Sequence, residues 1–249
     1  MKYIKDYHDG DRVFDIYLIK QRQSAVTKNG KQYENVILQD KTGTLDAKIW
    51  EPNSAGIGEF DALDYGEIYG EITNFQGALQ VNVKRTRLCQ VGEYNPADYL
   101  PVSSKNIDEM YQEFNQIIKS LDNSYLRRLM EVIFIEDQSF AKAFKTSSAA
   151  KAVHHGFVGG LLEHTLSVVK LCEYYCKTYP MLKRDLLLSA AMCHDIGKTK
   201  ELSLFPENDY TDDGQLLGHI IIGSEMVAEK IREIDGFPKA LAAQLKHCI

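Results

Sequence analysis

The stretch 190-AAMCHDIGKTK-200 decides how the C-terminal part of this chain is interpreted. Its apolar start continues a run of leucines and predicts a buried helix that carries His194 and Asp195 at its last turn. Gly197 follows where a helix commonly ends in a left-handed residue, and the cation Lys198 comes next. Because buried polar groups need partners, the stretch predicts a divalent-metal site; the alternative is an exposed helix end with an incidental His-Asp pair.

The composition is typical of a soluble globular protein of one or two domains: 249 residues, 44% hydrophobic and 26% charged. No apolar run reaches the length of a membrane span, and the N-terminus lacks the apolar segment of a signal peptide. Five cysteines without finger spacing favour buried thiols in a reducing compartment. These features predict a cytoplasmic protein without a membrane partner. The net charge of −6 argues against nucleic-acid binding by bulk electrostatics.

The first ninety residues have the pattern of a small β-barrel. Alternating apolar residues predict five strands, and Asn29-Gly30 predicts a hairpin in which both residues have positive φ. Five strands in about eighty residues are typical of an OB-fold barrel. The run 38-LQDKTGTLDAKIW-50 resembles the second and third strands of nucleic-acid-binding OB domains.

An OB domain of this kind binds a single strand by stacking bases on aromatic side chains and by contacting phosphates with basic ones. The candidate stacking residues are Tyr17, Tyr33, Trp50 and Phe75. The candidate phosphate-binding residues are Lys48, Lys84, Arg85 and Arg87. The competing interpretation is that aromatic residues of a small barrel belong to its core.

The chain changes from β to α character after a segment without periodicity. We therefore predict a barrel domain over 1–90, a linker over 91–105 and an all-α domain over 106–249, an α+β multidomain organisation. Asn106, with Glu109 three residues later, predicts the start of the first helix.

Four histidines lie on separate apolar segments of the helical domain. They are His164, His194, His219 and His247. Together with Asp195 they offer nitrogen and oxygen ligands that suit divalent ions such as Mn²⁺, Fe²⁺, Co²⁺ or Ni²⁺. A single histidine without a function is common in proteins, whereas several such residues rarely occur together in one domain by chance.

The order of these residues resembles that of the HD-domain phosphohydrolases. The longer phrases HHGFVGGLLEHTLSV, HDIGK and GQLLGHIIIG resemble one branch, the bacterial YhaM-type 3′-to-5′ exoribonucleases, which join an OB domain to an HD domain. The resemblance implies an all-α HD-domain helical bundle after the barrel. It also implies metal-dependent hydrolysis of single-stranded RNA from the 3′ end to nucleoside monophosphates, with Mn²⁺ as the first choice of ion.

The resemblance assigns roles to individual positions. His164, His194 and Asp195 would be metal ligands, with Asp195 bridging if two ions bind, and His219 and His247 would serve the second ion. Lys198, with Asp195, would act in catalysis by steadying a phosphate oxygen or the attacking hydroxide. His154 and His155 would contact substrate. Since family members carry further ligands after the position of His247, and this chain stops at Ile249, we expect a C-terminally truncated HD domain with an incomplete site.

Two other functions compete with this hypothesis. The first is an HD-type phosphohydrolase of free nucleotides, against which the OB domain argues. The second is a non-catalytic single-strand-binding adaptor whose HD core is only structural. The sequence leaves open whether DNA is accepted as well as RNA, and whether the protein forms a homo-oligomer.

Overall fold

A computed structural model describes residues 1–151 and 155–249 of the chain. The chain divides into two compact units, Met1–Pro101 and Val102–Ile249. The first is a closed β-barrel and the second is helical, so the predicted α+β multidomain class is confirmed. Among the described residues, no helix combines the length and the apolar character needed to cross a membrane.

The barrel consists of five strands in the closed order β1-β2-β3-β5-β4. Their bounds are β1 Arg12–Val26, β2 Gln32–Asp40, β3 Gly43–Ile49, β4 Tyr65–Phe75 and β5 Ala78–Leu88. The β3–β5 pair is parallel and all other pairs are antiparallel. A five-stranded Greek-key barrel with this order is the OB-fold. The inward residues of alternate positions, among them Val13, Tyr17 and Ile68, fill its core.

The hairpin turn between β1 and β2 differs from the one predicted at Asn29-Gly30. Only Gly30 has a positive φ (+76°) there, and the loop closes with a hydrogen bond from Thr27 N to Lys31 O. The two positive φ angles occur instead at Gln76 (+53°) and Gly77 (+89°) between β4 and β5. The Asn-Gly signal located the hairpin but not its turn type, because a longer loop relieves Asn29 of the left-handed conformation.

Most of the segment predicted as a linker packs onto the barrel. The ring of Tyr94 stacks on Tyr65 with centroids 3.8 Å apart, and Tyr99 meets Tyr65 edge-on. The carbonyl of Tyr99 accepts a hydrogen bond from Gln39. The first unit therefore extends to Pro101, since three aromatic rings bury one another in a segment whose lack of periodicity suggested an unstructured connection.

The second unit contains the helices α1 Ile107–Lys119, α2 Ser124–Glu131, α3 Gln138–Thr146, α4 Gly160–Thr178, α5 Arg184–Cys193, α6 Lys198–Glu201, α7 Asp212–Leu216, α8 Gly218–Arg232 and α9 Lys239–Cys248. A π-helical turn over Val132–Glu136 continues α2. The predicted cap of α1 is present, with Asn106 accepting from the backbone N–H groups of Asp108 and Glu109.

Helices α4 and α5 form the centre of this unit. Their apolar faces, including Leu162 and Val169 of α4 and Leu188 and Met192 of α5, belong to one buried cluster. Because α5 is buried along its last two turns, its C-terminal end brings the residues that follow Cys193 into the interior of the domain.

Candidate functional site

The imidazoles of His164 and His194 converge on the carboxylate of Asp195. Each Nε2 atom lies 3.3 Å from Asp195 Oδ2, and the two Nε2 atoms lie 3.2 Å apart. One ligand atom from each residue falls within 4.8 Å of the others. The structure thus brings together three of the predicted metal ligands at the point where α5 ends beside α4.

A backbone contact fixes the orientation of His194. Its Nδ1 atom lies 2.8 Å from the carbonyl oxygen of Ala191, one helical turn earlier. Because a carbonyl oxygen only accepts hydrogen bonds, Nδ1 carries a proton, so in the neutral ring the lone pair lies on Nε2, the atom that faces Asp195, and Nε2 is protonated only in the charged ring. A lone pair and a carboxylate oxygen repel each other unless a proton or a metal cation lies between them.

Asp195 is 4% exposed. Burial disfavours its charged form, but the hydrogen bonds with the two histidines and Lys198 outweigh burial and hold the pKa of Asp195 below its ordinary value. Burial likewise opposes charging of His194, yet its hydrogen bond with Asp195 prevails and raises the pKa of His194. The lowered pKa of Asp195 and the raised pKa of His194 both indicate a pocket that favours positive charge, whether that of a proton or of a metal ion.

His219 joins this group from helix α8. Its Nε2 atom lies 3.4 Å from Asp195 Oδ1, on the opposite carboxylate oxygen from the other two histidines. The backbone at Gly197 permits this approach, because a Cβ atom there would overlap the carbonyl group of His219 and the amide nitrogen of Gly223. Gly197 has a φ of −61°, so the predicted left-handed role is wrong; the glycine is needed for close packing instead.

A carboxylate that the sequence analysis missed contacts His219 from the other side. Glu201 Oε1 lies 2.9 Å from His219 Nδ1 and accepts the backbone N–H of His219 at 3.0 Å. Glu201 is buried. Its separation of 18 residues from His219 left no local pattern to detect, although a glutamate shortly after a His-Asp pair could have been noted.

His247 is not part of this group, contrary to the ligand prediction. It is an exposed residue of α9, whereas Leu245 of the same helix is fully buried. Two residues along an α-helix rotate a side chain by about 200°, so the helix face that buries Leu245 turns His247 away. Within residues 1–151 and 155–249, the group with metal-ligand spacing consists of His164, His194 and Asp195.

The two remaining histidine predictions concern the loop before α4. His154 lies outside the described residues. His155 has its ring centroid 5.4 Å from that of His164. A Cβ atom on Gly160 would overlap the carbonyl group of His155, so a residue without a side chain at the start of α4 allows His155 to lie beside His164.

This donor set fits a divalent metal ion. Nε2 lone pairs from two or three imidazoles face one buried carboxylate, and a single cation would satisfy all of them at once. Imidazole nitrogen with carboxylate oxygen suits first-row transition ions. The group therefore has the donor chemistry that a metal centre needs, and the role of His164, His194 and Asp195 as ligands stays a prediction.

On the barrel, the prediction for Tyr17 is wrong. Its side chain is fully buried, and its hydroxyl lies 2.8 Å from that of Tyr7 in the core. Burial raises the pKa of Tyr17 far above its ordinary value. Its position in β1 points into the barrel, so it offers no face to a base.

The other aromatic candidates lie on the surface. Trp50 is 48% exposed, stacks on Tyr33 with centroids 5.1 Å apart, and donates from Nε1 to Asn82. Phe75 is exposed at the β4–β5 turn. The Tyr33–Trp50 pair lies where β2 begins and β3 ends, and an OB-fold binds oligonucleotides around these two strands.

The basic candidates differ in their partners. Lys84 pairs with Glu71, and Arg87 pairs with Glu67 and Glu93. Lys48 donates to Asn35. Arg85 lies beside Phe14 and Tyr69 in a cleft of about 480 Å³, and the structure pairs it with no acid among the described residues.

An exposed aromatic pair on β1 and β4 is absent from the residues predicted from the sequence. Phe14 and Tyr69 are directly opposite in the strand register, with ring centroids 4.9 Å apart. Tyr69 is in turn opposite Arg85 of β5. An outward phenylalanine breaks the alternation of apolar-in and polar-out residues in β1, and that irregularity was the available signal.

Comparisons with known proteins identify the helical unit and relate the whole chain to a family of enzymes. The family model of the HD domain matches residues 161–247. The 3′-5′ exoribonuclease YhaM of Listeria innocua is 32% identical over 243 residues, which cover 94% of this chain and 75% of that protein. The YhaM proteins of a Geobacillus species (32% identity; 89% and 68% covered) and of Listeria welshimeri (31%; 94% and 74%) also match.

A solved structure, the second OB-fold domain of replication protein A from Methanococcus maripaludis, matches with 15% identity and a TM-score of 0.27. It covers 38% of this chain and 97% of that one. The strand order of the barrel itself identifies the OB-fold.

The fold and the site define an HD-domain protein with an OB-fold barrel at its N-terminal end. Within this class, the chain is more than 30% identical to YhaM proteins over more than two thirds of their length. The chain belongs to the family of the 3′-5′ exoribonuclease YhaM.

Proposed function

We propose that this chain is a metal-dependent 3′-5′ exoribonuclease that shortens single-stranded RNA and releases nucleoside monophosphates. The observation that carries the proposal is the convergence of His164 Nε2 and His194 Nε2 on one oxygen of the buried Asp195. The names of the relatives support the reaction, and exposed aromatic and basic residues on the barrel support a polynucleotide substrate rather than a free nucleotide.

The metal would be held by His164, His194 and Asp195. His219, whose Nε2 atom faces the other carboxylate oxygen of Asp195, would be a further ligand. We propose Mn²⁺, with one or two ions bound, because imidazole and carboxylate ligands suit it. When bound, such an ion lowers the pKa of water and offsets the negative charge of the phosphate.

Two residues of the chain would contact the 3′ end of the substrate. Lys198 lies beside the metal ligands with its ammonium 2.8 Å from Asp195 Oδ2, and an ammonium group has three donors. One can remain on Asp195 while another contacts a phosphate oxygen as charge develops there. His155, whose ring lies next to that of His164, would contact the terminal nucleotide.

The barrel would hold the upstream part of the strand. Trp50 and Tyr33 offer a stacked aromatic surface, and stacking tolerates any base. Lys48 would contact the phosphate backbone of the strand near Trp50, and this contact does not depend on the identity of the base. Because stacking and phosphate contacts do not involve the 2′-hydroxyl, single-stranded DNA is a second substrate to test.

The test incubates the full chain with a single-stranded oligoribonucleotide labelled at its 5′ end. We expect a ladder of products shortened from the 3′ end, dependence on added Mn²⁺, and loss of activity with EDTA. Parallel reactions with a DNA oligonucleotide and with free nucleoside triphosphates test substrate class. Turnover of free nucleotides alone, or trimming that persists in EDTA, would contradict the proposal.

A further inference from the structure

Glu201 is a buried carboxylate whose Oε1 atom accepts two hydrogen bonds from one residue. Its donors are the Nδ1 and the backbone N–H of His219, at 2.9 Å and 3.0 Å. The imidazole of His219 therefore lies between two carboxylates, since its Nε2 atom faces Asp195 Oδ1 at 3.4 Å.

The main chain of Glu201 is itself held in place. Its carbonyl oxygen accepts from the backbone N–H of Thr211 at 3.0 Å and lies within 3.3 Å of the Thr211 hydroxyl. Glu201 ends α6, the short helix that follows the His-Asp pair. The carboxylate thus reaches His219 from a fixed backbone rather than from a mobile loop.

This contact determines which nitrogen of His219 carries a proton. An ionised carboxylate only accepts hydrogen bonds, so the nitrogen that faces Glu201 must donate. Nδ1 is therefore protonated, and the lone pair of the neutral ring lies on Nε2, directed toward Asp195. A carboxylate that binds the far nitrogen of a histidine in this way orients the ring and makes the ligating nitrogen more basic.

We infer that Glu201 is the positioning residue that holds His219 with Nε2 available to the metal, so that a fourth protein ligand joins His164, His194 and Asp195. Glu201 acts through His219 and does not touch substrate. The metal part of the inference rests on the proposed function, whereas the tautomer of His219 does not.

A purely structural role is the competing explanation. The carboxylate of Glu201 lies at the first turn of α8, where Leu217 supplies no side-chain cap, and an acidic group there stabilises a helix. Three variants separate the two roles. Glu201→Ala removes both contacts, Glu201→Asp keeps the charge near the helix but shortens the reach to Nδ1, and Glu201→Gln keeps an accepting oxygen at full length.

The first measurement needs neither metal nor RNA. Histidine nitrogens of the full chain, labelled with ¹⁵N and freed of metal with EDTA, are observed by NMR, and the His219 signals are assigned with His219→Gln. We expect a proton on Nδ1 in the parent protein and in Glu201→Gln, and its loss in Glu201→Ala and Glu201→Asp. An Nδ1 without a proton in the parent protein, or one unaffected by Glu201→Ala, would overturn the inference.

The second measurement titrates Mn²⁺ alone and follows the free ion by electron paramagnetic resonance. We expect Glu201→Ala and Glu201→Asp to weaken Mn²⁺ binding by about 10- to 100-fold, with Glu201→Gln restoring most of the affinity. Glu225→Ala, which changes an exposed acid of α8, the helix that carries His219, is the matched control and should leave the Mn²⁺ affinity unchanged. Unaltered Mn²⁺ affinity in Glu201→Ala and Glu201→Asp would leave Glu201 as a helix cap only.

The two proposals fail separately. If the parent protein binds Mn²⁺ but trims no RNA, the exoribonuclease assignment fails while the role of Glu201 stands. If trimming depends on Mn²⁺ but the Glu201 variants bind it normally, only the role of Glu201 fails. Melting temperatures of all variants identify any that lose affinity by unfolding.

Discussion

The ammonium group of Lys198 lies 2.8 Å from Asp195 Oδ2, the same oxygen that faces the Nε2 atoms of His164 and His194. A cation held this close to the metal ligands, and only partly exposed, can stabilise charge on a phosphate without moving.

Replacement of Lys198 by methionine should lower kcat by about 10²- to 10³-fold, the usual effect of removing one preorganised donor to a developing charge. Binding of Mn²⁺ should persist, because the side chain is not a ligand. Single-turnover trimming of a labelled RNA measures the first effect and calorimetry the second. Lys200→Met, at an exposed position two residues later, is the control. Equal rates for Lys198→Met and the parent protein would exclude a catalytic role.

The variants His194→Ala and Asp195→Ala should abolish 3′-end trimming while leaving RNA binding by the barrel largely unchanged. Both remove ligand atoms from the centre of the site but leave the first unit untouched. Fluorescence anisotropy of a labelled RNA in EDTA reports binding, and gel analysis with Mn²⁺ reports trimming. His8→Ala, an exposed histidine of the first unit, should retain both. Undiminished hydrolysis by either variant would contradict the assignment of His194 and Asp195 as metal ligands.

His219 and His247 should differ in their effect on the metal. His219→Ala removes the Nε2 atom that lies 3.4 Å from Asp195, and we expect Mn²⁺ affinity to fall at least as far as in Glu201→Ala. His247 is exposed on the far face of α9, so His247→Ala should bind Mn²⁺ like the parent protein. A loss of affinity in His247→Ala would restore the prediction made from the sequence.

The barrel prediction compares an exposed and a buried aromatic residue. Trp50→Ala should weaken RNA binding by about 5- to 150-fold, in line with the 1–3 kcal/mol usually lost with one stacked base. Tyr17→Phe should leave RNA affinity unchanged but cost about 1 kcal/mol of stability through the lost contact with Tyr7. Anisotropy titrations and urea unfolding give the two quantities. Phe14→Ala shows whether the missed aromatic pair binds the strand as well.

Gly197→Ala should destabilise the helical unit by about 1–3 kcal/mol, because the added methyl group overlaps the backbone of His219 and Gly223. Chemical denaturation followed by circular dichroism measures this. Gly223→Ala adds a methyl group to the other side of the same contact at distances of 3.3–3.7 Å, so its cost should be smaller. The reverse order of stability would show that the close approach is not what selects glycine at 197.

Patterns that act over a few residues predicted the structure well. The alternation of apolar residues predicted the five strands, and Asn106 predicted the start of α1. The His-Asp pair marked the centre of the site because both residues follow a buried helix directly. In each case the physical cause lies within one or two turns of chain.

Contacts between distant segments were beyond such patterns. Glu201 meets His219 across 18 residues, and the burial of Tyr17 depends on which face of β1 turns inward near Tyr7. His247 was assigned by its type and order, whereas the rotation of α9 decides its direction. Residue identity suggested the chemistry, and packing determined which residues take part.

The two histidine orientations have different consequences for protein engineering. The partner of His194 Nδ1 is the carbonyl of Ala191, an atom that any α-helix of whatever sequence provides. The partner of His219 is one glutamate on a separate helix. Transplanting the His-Asp pair to the end of another buried helix would carry the first orientation with it, whereas a graft that includes His219 must bring Glu201 and its supporting loop as well.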